Sequence, residues 1–380
     1  MQQWTDKQRE LRESYTEAFA AWGADHIRRD RAGEFPRDTW RQIGESGLFG
    51  LPFDPQHGGG GHDLPTTMFV LENLGYRCRD GGLNFSVSTQ IVSSGVPIQR
   101  FGSRSVKERF LPRICDGTAI GAHAMTEPAG GSDALTMQTT AVRDGDHYVL
   151  NGRKSFTTNG PVADLVLVYA RTTPGTGPLG ISVFVVERGT PGFEAGPPVE
   201  KMGLRTSPLG NLTFTDCAIP ADNMVGRPGK GFLLLDYVMK WEVLCSFAIS
   251  LGAMRWRLET CIDYAKTRRQ FGAPIASCQL VASKIVEMKL DLETTRSWFH
   301  DTANRFIAGE DVMIDVAIAK VLASEANVRS ATNAVQIHGG RGYLTEFGIE
   351  KELRDATGGT IYSGTSEVQR DKVARMMGVS

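Results

Sequence analysis

The sequence predicts an α+β protein of three domains: an N-terminal helical domain (residues 1–118), a central antiparallel β domain (residues 119–228) and a C-terminal helical bundle (residues 229–380). Apolar residues recur with the helical period of about 3.6 residues at both ends of the chain, and with a period of two in the middle. A chain of 380 residues is also too long for one ordinary hydrophobic core. Length and periodicity together favour separate helical and β domains.

The predicted N-terminal domain opens with WTDKQRELRESYTEAFAAWGADHIRRD, which carries the helical pattern. PRDTWRQIGESGLFGL follows and ends at glycine, as helices often do. The segment HGGGGH, His57 to His62, is expected to be a surface loop, because glycine-rich turns are much more common than metal sites of this kind. The seven histidines never stand at ligand spacing from each other, so no metal site is predicted.

The predicted β domain has apolar or β-branched runs separated by turn signals. In TTAVRDGDHYVLNGRKSFTT the breaks are Asp144-Gly145 and Asn151-Gly152, dipeptides that favour type I′ hairpin turns because both central residues take positive φ. LVLVYA, ISVFVVER and NLTFTDCAIP continue the pattern as further strands. We therefore expect an antiparallel sheet with a hairpin turn at each dipeptide.

The predicted C-terminal bundle consists of long segments that are apolar on one face and contain few helix breakers. They begin near Leu233, Cys278, Asp311 and Ser366. Ser366 and Gln369 have the spacing of a capping box, so the last helix is expected to begin at Ser366 after a turn through Gly364 and Thr365.

Composition excludes several classes of function. With 42 basic and 43 acidic residues, the chain has no charge footprint for nucleic acid or an anionic membrane. Its longest uncharged stretch, Gly81 to Gln99, is too polar to span a bilayer. The N-terminus lacks an apolar signal region, and the six cysteines show no CxxC pairing, which predicts a cytoplasmic protein with free thiols. No P-loop, GxSxG or HExxH motif is present, and no GxGxxG stands between a predicted strand and a predicted helix.

Four polar, glycine-rich stretches remain as candidates for a functional site: MTEPAGGSD from Met125, KSFTTNG from Lys154, QIHGGRGY from Gln336 and IYSGTSEVQR from Ile361. Taken singly, each is typical of a structural loop. Taken together, in this order across an α-β-α chain, they resemble the acyl-CoA dehydrogenase family over nearly the whole sequence. MTEPAGGSD and QIHGGRGYLTEFGIEKELRD are similar to the two signature segments of that family, and RRQFG from Arg268 is a third shared feature.

This resemblance implies a C-terminal four-helix bundle, with FAD bound between the domains and partly by a neighbouring subunit of a homotetramer. It also implies an acyl thioester substrate, carried by CoA or by a carrier protein. The reduced flavin would pass its electrons to an electron-transfer flavoprotein or to oxygen. The positions that match FAD-binding residues of the family are Thr126, Ser132, Phe156, Thr158, Arg268, Gln270, Phe271, Gln336, Gly339, Gly340, Thr365 and Glu367.

The chemistry of these residues suits a flavin dinucleotide. Thr126 and Thr158 can donate hydrogen bonds to the polar edge of the isoalloxazine, and Phe156 offers a ring to its face where the family usually has Trp. Arg268 supplies a fixed positive charge for the pyrophosphate, although a lone arginine on a helix is most often a solvated charge. The resemblance implies that the segment from Arg268 and the segment from Gln336 reach FAD from the adjacent subunit.

The catalytic base is missing from its commonest position. Many relatives have IYEGT, and that Glu takes the α-proton of the substrate, whereas this chain has Ser363, whose hydroxyl is far too weak a base. Glu242 is the only charged residue between Trp241 and Met254, and WEVL matches relatives that carry the base on this helix. A helical Glu is usually solvated, but one shielded from water is a stronger base. Val243 departs from the family, which usually has Arg there.

We therefore expect Ser363 to mark a vacant base position whose small side chain leaves room for Glu242. In the predicted reaction Glu242 removes the α-proton, and the backbone N–H of Ser363, with a flavin ribityl hydroxyl, holds the thioester oxygen while hydride passes to flavin N5. The pair Trp241-Glu242, together with IYSGTSE from Ile361, also resembles prolyl dehydrogenases, which act on prolyl groups tethered to carrier proteins. The alternatives are a short- or branched-chain acyl-CoA dehydrogenase, a flavin monooxygenase of the same fold, and a non-catalytic flavoprotein.

Overall fold

A computed structural model describes residues 3–175 and 177–379 and confirms the predicted order of helices, strands and helices. The N-terminal helices are α1 (Asp6–Ser14), α2 (Thr16–Trp22), α3 (His26–Ala32), α4 (Arg37–Glu45), α5 (Leu64–Arg77), α6 (Gly81–Ser88), α7 (Val96–Phe101) and α8 (Arg104–Cys115). A buried π-helix, Thr89–Gly95, joins α6 to α7. The HGGGGH segment forms the expected loop after a short 3-10 turn at Pro55–His57.

The middle of the chain forms a sheet from β1 (Gly121–Ala124), β2 (Thr140–Asp144), β3 (His147–Thr158), β4 (Leu165–Arg171), β5 (Ile181–Glu187), β6 (Phe193–Ala195), β7 (Leu209–Pro220) and β8 (Met224–Val225). Within the described residues the strand order is β6-β7-β3-β2-β4-β5-β8, with β1 beside β4. Most pairs are antiparallel as predicted, but β1 and the first residue of β2 both pair with β4 in parallel.

Only one of the two predicted hairpin turns is present. β2 and β3 are joined through Gly145, which has a φ of 59°. The turn predicted at Asn151-Gly152 is wrong: both residues lie inside β3, at a bulge opposite β7. Gly152 is needed for close approach, since a Cβ there would lie 2.5 Å from Thr139 Oγ1. The Asn151 side chain donates to Asp216 Oδ1 at 3.1 Å on the neighbouring strand.

The C-terminal helices are α9 (Gly231–Thr267), α10 (Gln279–Ile307), α11 (Met313–His338), α12 (Gly340–Tyr343), α13 (Ile349–Thr357) and α14 (Ser366–Met376), with a small ribbon of β9 (Arg269–Gln270) and β10 (Ala273–Pro274) after α9. Helix α14 begins at Ser366 as expected, but its cap lies one residue earlier. The Thr365 hydroxyl, and not that of Ser366, accepts the capping bond from the Val368 N–H.

The two helical parts share one hydrophobic core, and the sheet contributes one of its faces to that core. Along β4, the side chains of Leu165, Leu167 and Tyr169 belong to this shared core, whereas Val166 and Val168 pack in a second core on the other face of the sheet. This alternation follows from the period of two in a strand. Among the described residues, no helix combines the length and hydropathy that a membrane span requires.

Candidate active site

Glu242 lies on α9 just before a run of residues, Val243–Gly252, that is buried throughout. Its own side chain is half-buried, and both of its carboxylate oxygens accept hydrogen bonds from serine hydroxyls. Ser363 Oγ donates to Oε1 at 2.5 Å, and Ser93 Oγ donates to Oε2 at 2.9 Å. The structure therefore brings the two predicted catalytic residues together and adds Ser93, which sequence reasoning missed.

Ser363 occupies the turn between Tyr362 and α14 with a φ of 55°, an uncommon conformation for a residue other than glycine. Gln369 Nε2 donates to the Ser363 carbonyl at 2.9 Å and fixes the turn from inside α14. The Ser363 backbone N–H donates to no atom in the described part of the chain, so it is free to bind a ligand. The prediction that Ser363 only leaves room for Glu242 is therefore incomplete, because the Ser363 hydroxyl also donates a hydrogen bond to the Glu242 carboxylate.

Aromatic rings surround this pair of residues. Tyr362 lies against Phe85, with ring centroids 4.5 Å apart, and against Phe247 at 5.5 Å. Burial, and then the charge of Glu242, raise the pKa of the Tyr362 phenol, which therefore stays protonated. The environment of Glu242 is thus a largely apolar wall in which the two serines are the hydrogen-bond donors to the carboxylate.

His123 on β1 and Tyr169 on the neighbouring strand β4 form a second group of polar side chains near Glu242. Their rings meet edge to face with centroids 4.9 Å apart. Burial lowers the pKa of the His123 imidazole, although the nearby Glu242 charge opposes this, so the ring is neutral at pH 7. The His123 Nε2 atom is buried without a partner in the described chain. Sequence reasoning missed this residue because it precedes the MTEPAGGSD motif.

A cavity of about 520 Å³, including its open mouth, runs along α9 from the turn that follows Glu242. Ser246 and Ser250 line it, one and two helical turns beyond Glu242 on the same face. At the far end Arg257 donates to Glu352 Oε2 at 2.8 Å. This lining suits an acyl group that carries polar atoms better than a hydrocarbon chain.

The two motifs predicted to contact the flavin are joined to each other in the β domain. Ser155 N donates to Thr126 O at 2.8 Å, and Lys154 Nζ donates to Glu127 Oε1 at 2.8 Å. A bulge in β3 after Lys154 turns Phe156 outward, with a φ of 54° and 66% of its surface exposed. An apolar ring held in water by an uncommon backbone conformation indicates a ligand or partner at this surface.

The two charged side chains that connect these motifs, Lys154 and Glu127, form an ion pair. Burial lowers the pKa of the Lys154 ammonium to about 8, although Glu127 opposes the shift. Burial favours a higher pKa for Glu127, but Lys154 and the N–H groups of Gln138 and Thr139 outweigh it, so the pKa of Glu127 is lowered. The hydroxyls of Thr126 and Thr158 have no partner in the described chain and can donate to a ligand.

The remaining predicted cofactor residues fall into two groups. Arg268, Gln270, Phe271, Gln336, Gly339 and Gly340 are exposed at the ends of α9 and α11, which meet where Tyr264 stacks on His338. We call this group the bundle-end surface. The Arg268 guanidinium has no partner in the described chain, and Phe271 is fully exposed with a φ of 51°.

The other predicted cofactor residues lie elsewhere. Thr365 caps α14 beside Ser363, and Glu367 is exposed in the first turn of that helix, where hydrogen bonds from its own N–H and from Thr365 lower its pKa. Ser132 is exposed in the loop that follows β1. No hydrogen bond between described residues joins any of these to the bundle-end surface.

Comparisons with known proteins agree with this geometry. Family models for the N-terminal, middle and C-terminal domains of acyl-CoA dehydrogenases match residues 5–118, 122–217 and 229–378. The chain belongs to the acyl-CoA dehydrogenase family. Because each family model covers a different part of the chain, the family assignment applies to the helical regions and to the sheet alike.

Several relatives of this acyl-CoA dehydrogenase family member are similar over nearly their full length. It is 39% identical to the L-prolyl peptidyl-carrier-protein dehydrogenase of Pseudomonas fluorescens over 94% of this chain and 93% of the relative. The crystal structure of the prolyl acyl carrier protein oxidase AnaB is 38% identical, with a TM-score of 0.96, and covers 99% of this chain and 100% of AnaB. The structure of PigA with FAD and proline is 34% identical, with a TM-score of 0.97, and covers 100% of both chains.

Proposed function

We propose that this protein is an FAD-dependent dehydrogenase that oxidises an acyl thioester, with Glu242 as the base. The observation that carries the proposal is the Glu242 carboxylate, held by hydroxyl groups at 2.5 Å and 2.9 Å, one helical turn before Ser246, which lines the cavity along α9. An unpaired backbone N–H at Ser363 adjoins it. A positioned carboxylate beside a free amide donor is the arrangement that proton abstraction next to a carbonyl requires.

FAD fits the residues that remain without partners. The exposed ring of Phe156, the free hydroxyls of Thr126 and Thr158 and the unpaired guanidinium of Arg268 suit a planar aromatic group with a polar edge and a pyrophosphate. When bound, FAD supplies the hydride acceptor, which no side chain provides. The chain itself binds the cofactor and orients the substrate against Glu242.

In this reaction the α-proton of the substrate moves to a free lone pair of the Glu242 carboxylate. The electron pair of the broken C–H bond shifts toward the thioester, whose oxygen gains negative charge and accepts a hydrogen bond from the Ser363 N–H. A hydride leaves the atom next to the α-carbon, so the product gains a double bond. The neutral form of Tyr362 adds no second negative charge beside this developing oxyanion.

We also propose that the acyl group is short and polar, such as a prolyl group on a peptidyl carrier protein. Ser246, Ser250 and Asn84 line the cavity beyond Glu242, and the Arg257–Glu352 ion pair closes it. The Asn84 Oδ1 atom is buried without a partner in the described chain, so a polar acyl group can donate to it, whereas a long alkyl chain would leave it unpaired. The names of the relatives, which act on prolyl groups attached to carrier proteins, support the same substrate class.

Anaerobic bleaching of the purified yellow protein tests both proposals. A panel of prolyl-carrier-protein, butyryl-CoA and isovaleryl-CoA thioesters is mixed with the protein, and flavin absorbance is followed by stopped flow. We expect reduction by the prolyl thioester to be fastest, because the polar lining pairs with a polar ring. Faster reduction by isovaleryl-CoA would overturn the substrate class, and reduction by none of the three would overturn the dehydrogenase function.

We further propose that FAD is shared between subunits of a homotetramer and that an electron-transfer flavoprotein or oxygen reoxidises it. The bundle-end surface is exposed in one chain, and Gly339 has a φ of 58° with open space where a side chain would begin. On α10, Val286 and Leu290 are exposed by 54% and 55% one turn apart, as in an apolar helix face that another subunit covers.

The Arg268→Ala variant is expected to bind FAD about 10- to 100-fold more weakly, because it loses a charge-assisted hydrogen bond to the pyrophosphate. Flavin retention during dilution, followed by absorbance, measures the change. Lys266→Ala is the matched control, since it removes a nearby cation of the last turn of α9. Equal flavin loss in both variants, or full retention by a monomer in sedimentation, contradicts the shared site.

A further inference from the structure

Ser93 and Ser363 each donate a hydrogen bond to the Glu242 carboxylate. Each hydroxyl donates to a different oxygen, at 2.9 Å and 2.5 Å. An ionised carboxylate only accepts hydrogen bonds, so both serines are the donors. We refer to Ser93 and Ser363 as the serine clamp.

Both members of the serine clamp sit on uncommon backbone. Ser93 belongs to the π-helix Thr89–Gly95, a rare form that is frequently found at functional sites, and is only 4% exposed. Ser363 has a φ of 55°, which costs a residue other than glycine conformational energy. Two costly conformations, far apart in the chain, therefore converge on one carboxylate.

We propose that Ser93 and Ser363 are positioning residues that aim the Glu242 carboxylate at the α-proton of the substrate. Each carboxylate oxygen has two lone pairs, and the clamp occupies one on each. Rotation of the carboxylate is thereby fixed, and one lone pair on each oxygen stays available. When the α-proton moves to a free lone pair, the electron pair of the C–H bond remains with the substrate, and neither serine has to move or change its protonation.

This inference rests on the proposed function, since it assigns residues that act through the base. The test compares Ser93→Ala and Ser363→Ala with wild type by stopped-flow flavin reduction, using the prolyl thioester and its α-deuterated form. Ser363→Ala keeps the backbone N–H, so it removes the hydroxyl alone. Ser94→Ala is the matched control, because Ser94 lies on the same π-helix and its buried hydroxyl has no partner in the described chain.

We expect each clamp variant to reduce its flavin about 10- to 100-fold more slowly, the loss that a slightly misplaced reacting group causes. The deuterium isotope effect should rise because proton abstraction becomes slower, while substrate affinity, FAD content and thermal unfolding stay close to wild type. Ser93→Thr keeps a hydroxyl and should restore most of the rate, and Ser94→Ala should behave as wild type.

The outcomes separate the two proposals. Wild-type protein that no thioester reduces overturns the proposed function, and with it the role of the clamp. Wild-type turnover with unchanged rates and isotope effects in Ser93→Ala and Ser363→Ala overturns the clamp alone. The clamp is also overturned if Ser93→Thr is as slow as Ser93→Ala, because the effect would then follow the shape of the side chain and not its hydroxyl.

Discussion

Replacing Glu242 with glutamine is expected to slow flavin reduction by substrate about 10²- to 10⁴-fold, the usual contribution of a general base. The amide keeps the size of the side chain: its oxygen can accept from one of the two serines and its NH₂ group can donate to the hydroxyl of the other, but it cannot take up the α-proton. Folding and FAD content should therefore be normal. Anaerobic stopped-flow measurement of the flavin absorbance gives the rate directly.

Two further variants make this prediction sharper. Glu259→Gln changes a partly exposed carboxylate of the same helix, 44% exposed, and should leave the rate unchanged. The double variant Glu242→Gln with Ser363→Glu places a carboxylate at the other base position of the family and should regain a small part of the activity. A Glu242→Gln protein that is reduced at nearly the wild-type rate would show that another group is the base.

The fold followed from the sequence because its signals are local. The change of hydrophobic period from about 3.6 to two marks the sheet, and the long apolar faces of α9, α10 and α11 mark the bundle. Local signals failed where a distant residue decided the backbone. Asn151-Gly152 has the composition of a turn, but pairing with β7 and the close approach of Thr139 keep it inside a strand.

The candidate site was predictable only in part, for the same reason. Glu242 stood out as a lone charge in an apolar helix, but Ser93 is an ordinary serine in a polar run, 149 residues away in the chain. Nothing in the sequence near Ser363 indicates that its hydroxyl reaches a carboxylate 121 residues earlier. Contacts of this kind depend on tertiary packing, which single-sequence patterns do not describe.

Lys154 and Glu127 show a third limit of prediction from sequence. Both belong to motifs that resemble cofactor-binding segments, but their own side chains pair with each other inside the protein. The Lys154 side chain is fully buried, and its ammonium pairs with Glu127 and donates to the Met125 carbonyl at 3.1 Å. The Glu127 carboxylate also accepts from the N–H of Gln138 at 2.6 Å. This buried network fixes the segment that carries Thr126 against the segment that carries Phe156.

Substitution of Lys154 by methionine is expected to lower the free energy of unfolding by about 3–5 kcal/mol, because it leaves the buried Glu127 carboxylate without its countercharge. FAD binding should weaken as well, since the segments of Thr126 and Phe156 lose their connection. Chemical denaturation and flavin retention measure the two effects.

The double variant Lys154→Met with Glu127→Gln should recover part of the lost stability, because a neutral amide no longer needs a countercharge and still accepts from the Gln138 N–H. Lys289→Met is the control: its pair with Glu293 is exposed, so the change should stay within about 0.5 kcal/mol. If Lys154→Met is as stable as Lys289→Met, the ion pair does not hold the two segments together. If it is destabilised but retains FAD fully, the pair supports the sheet and not the cofactor site.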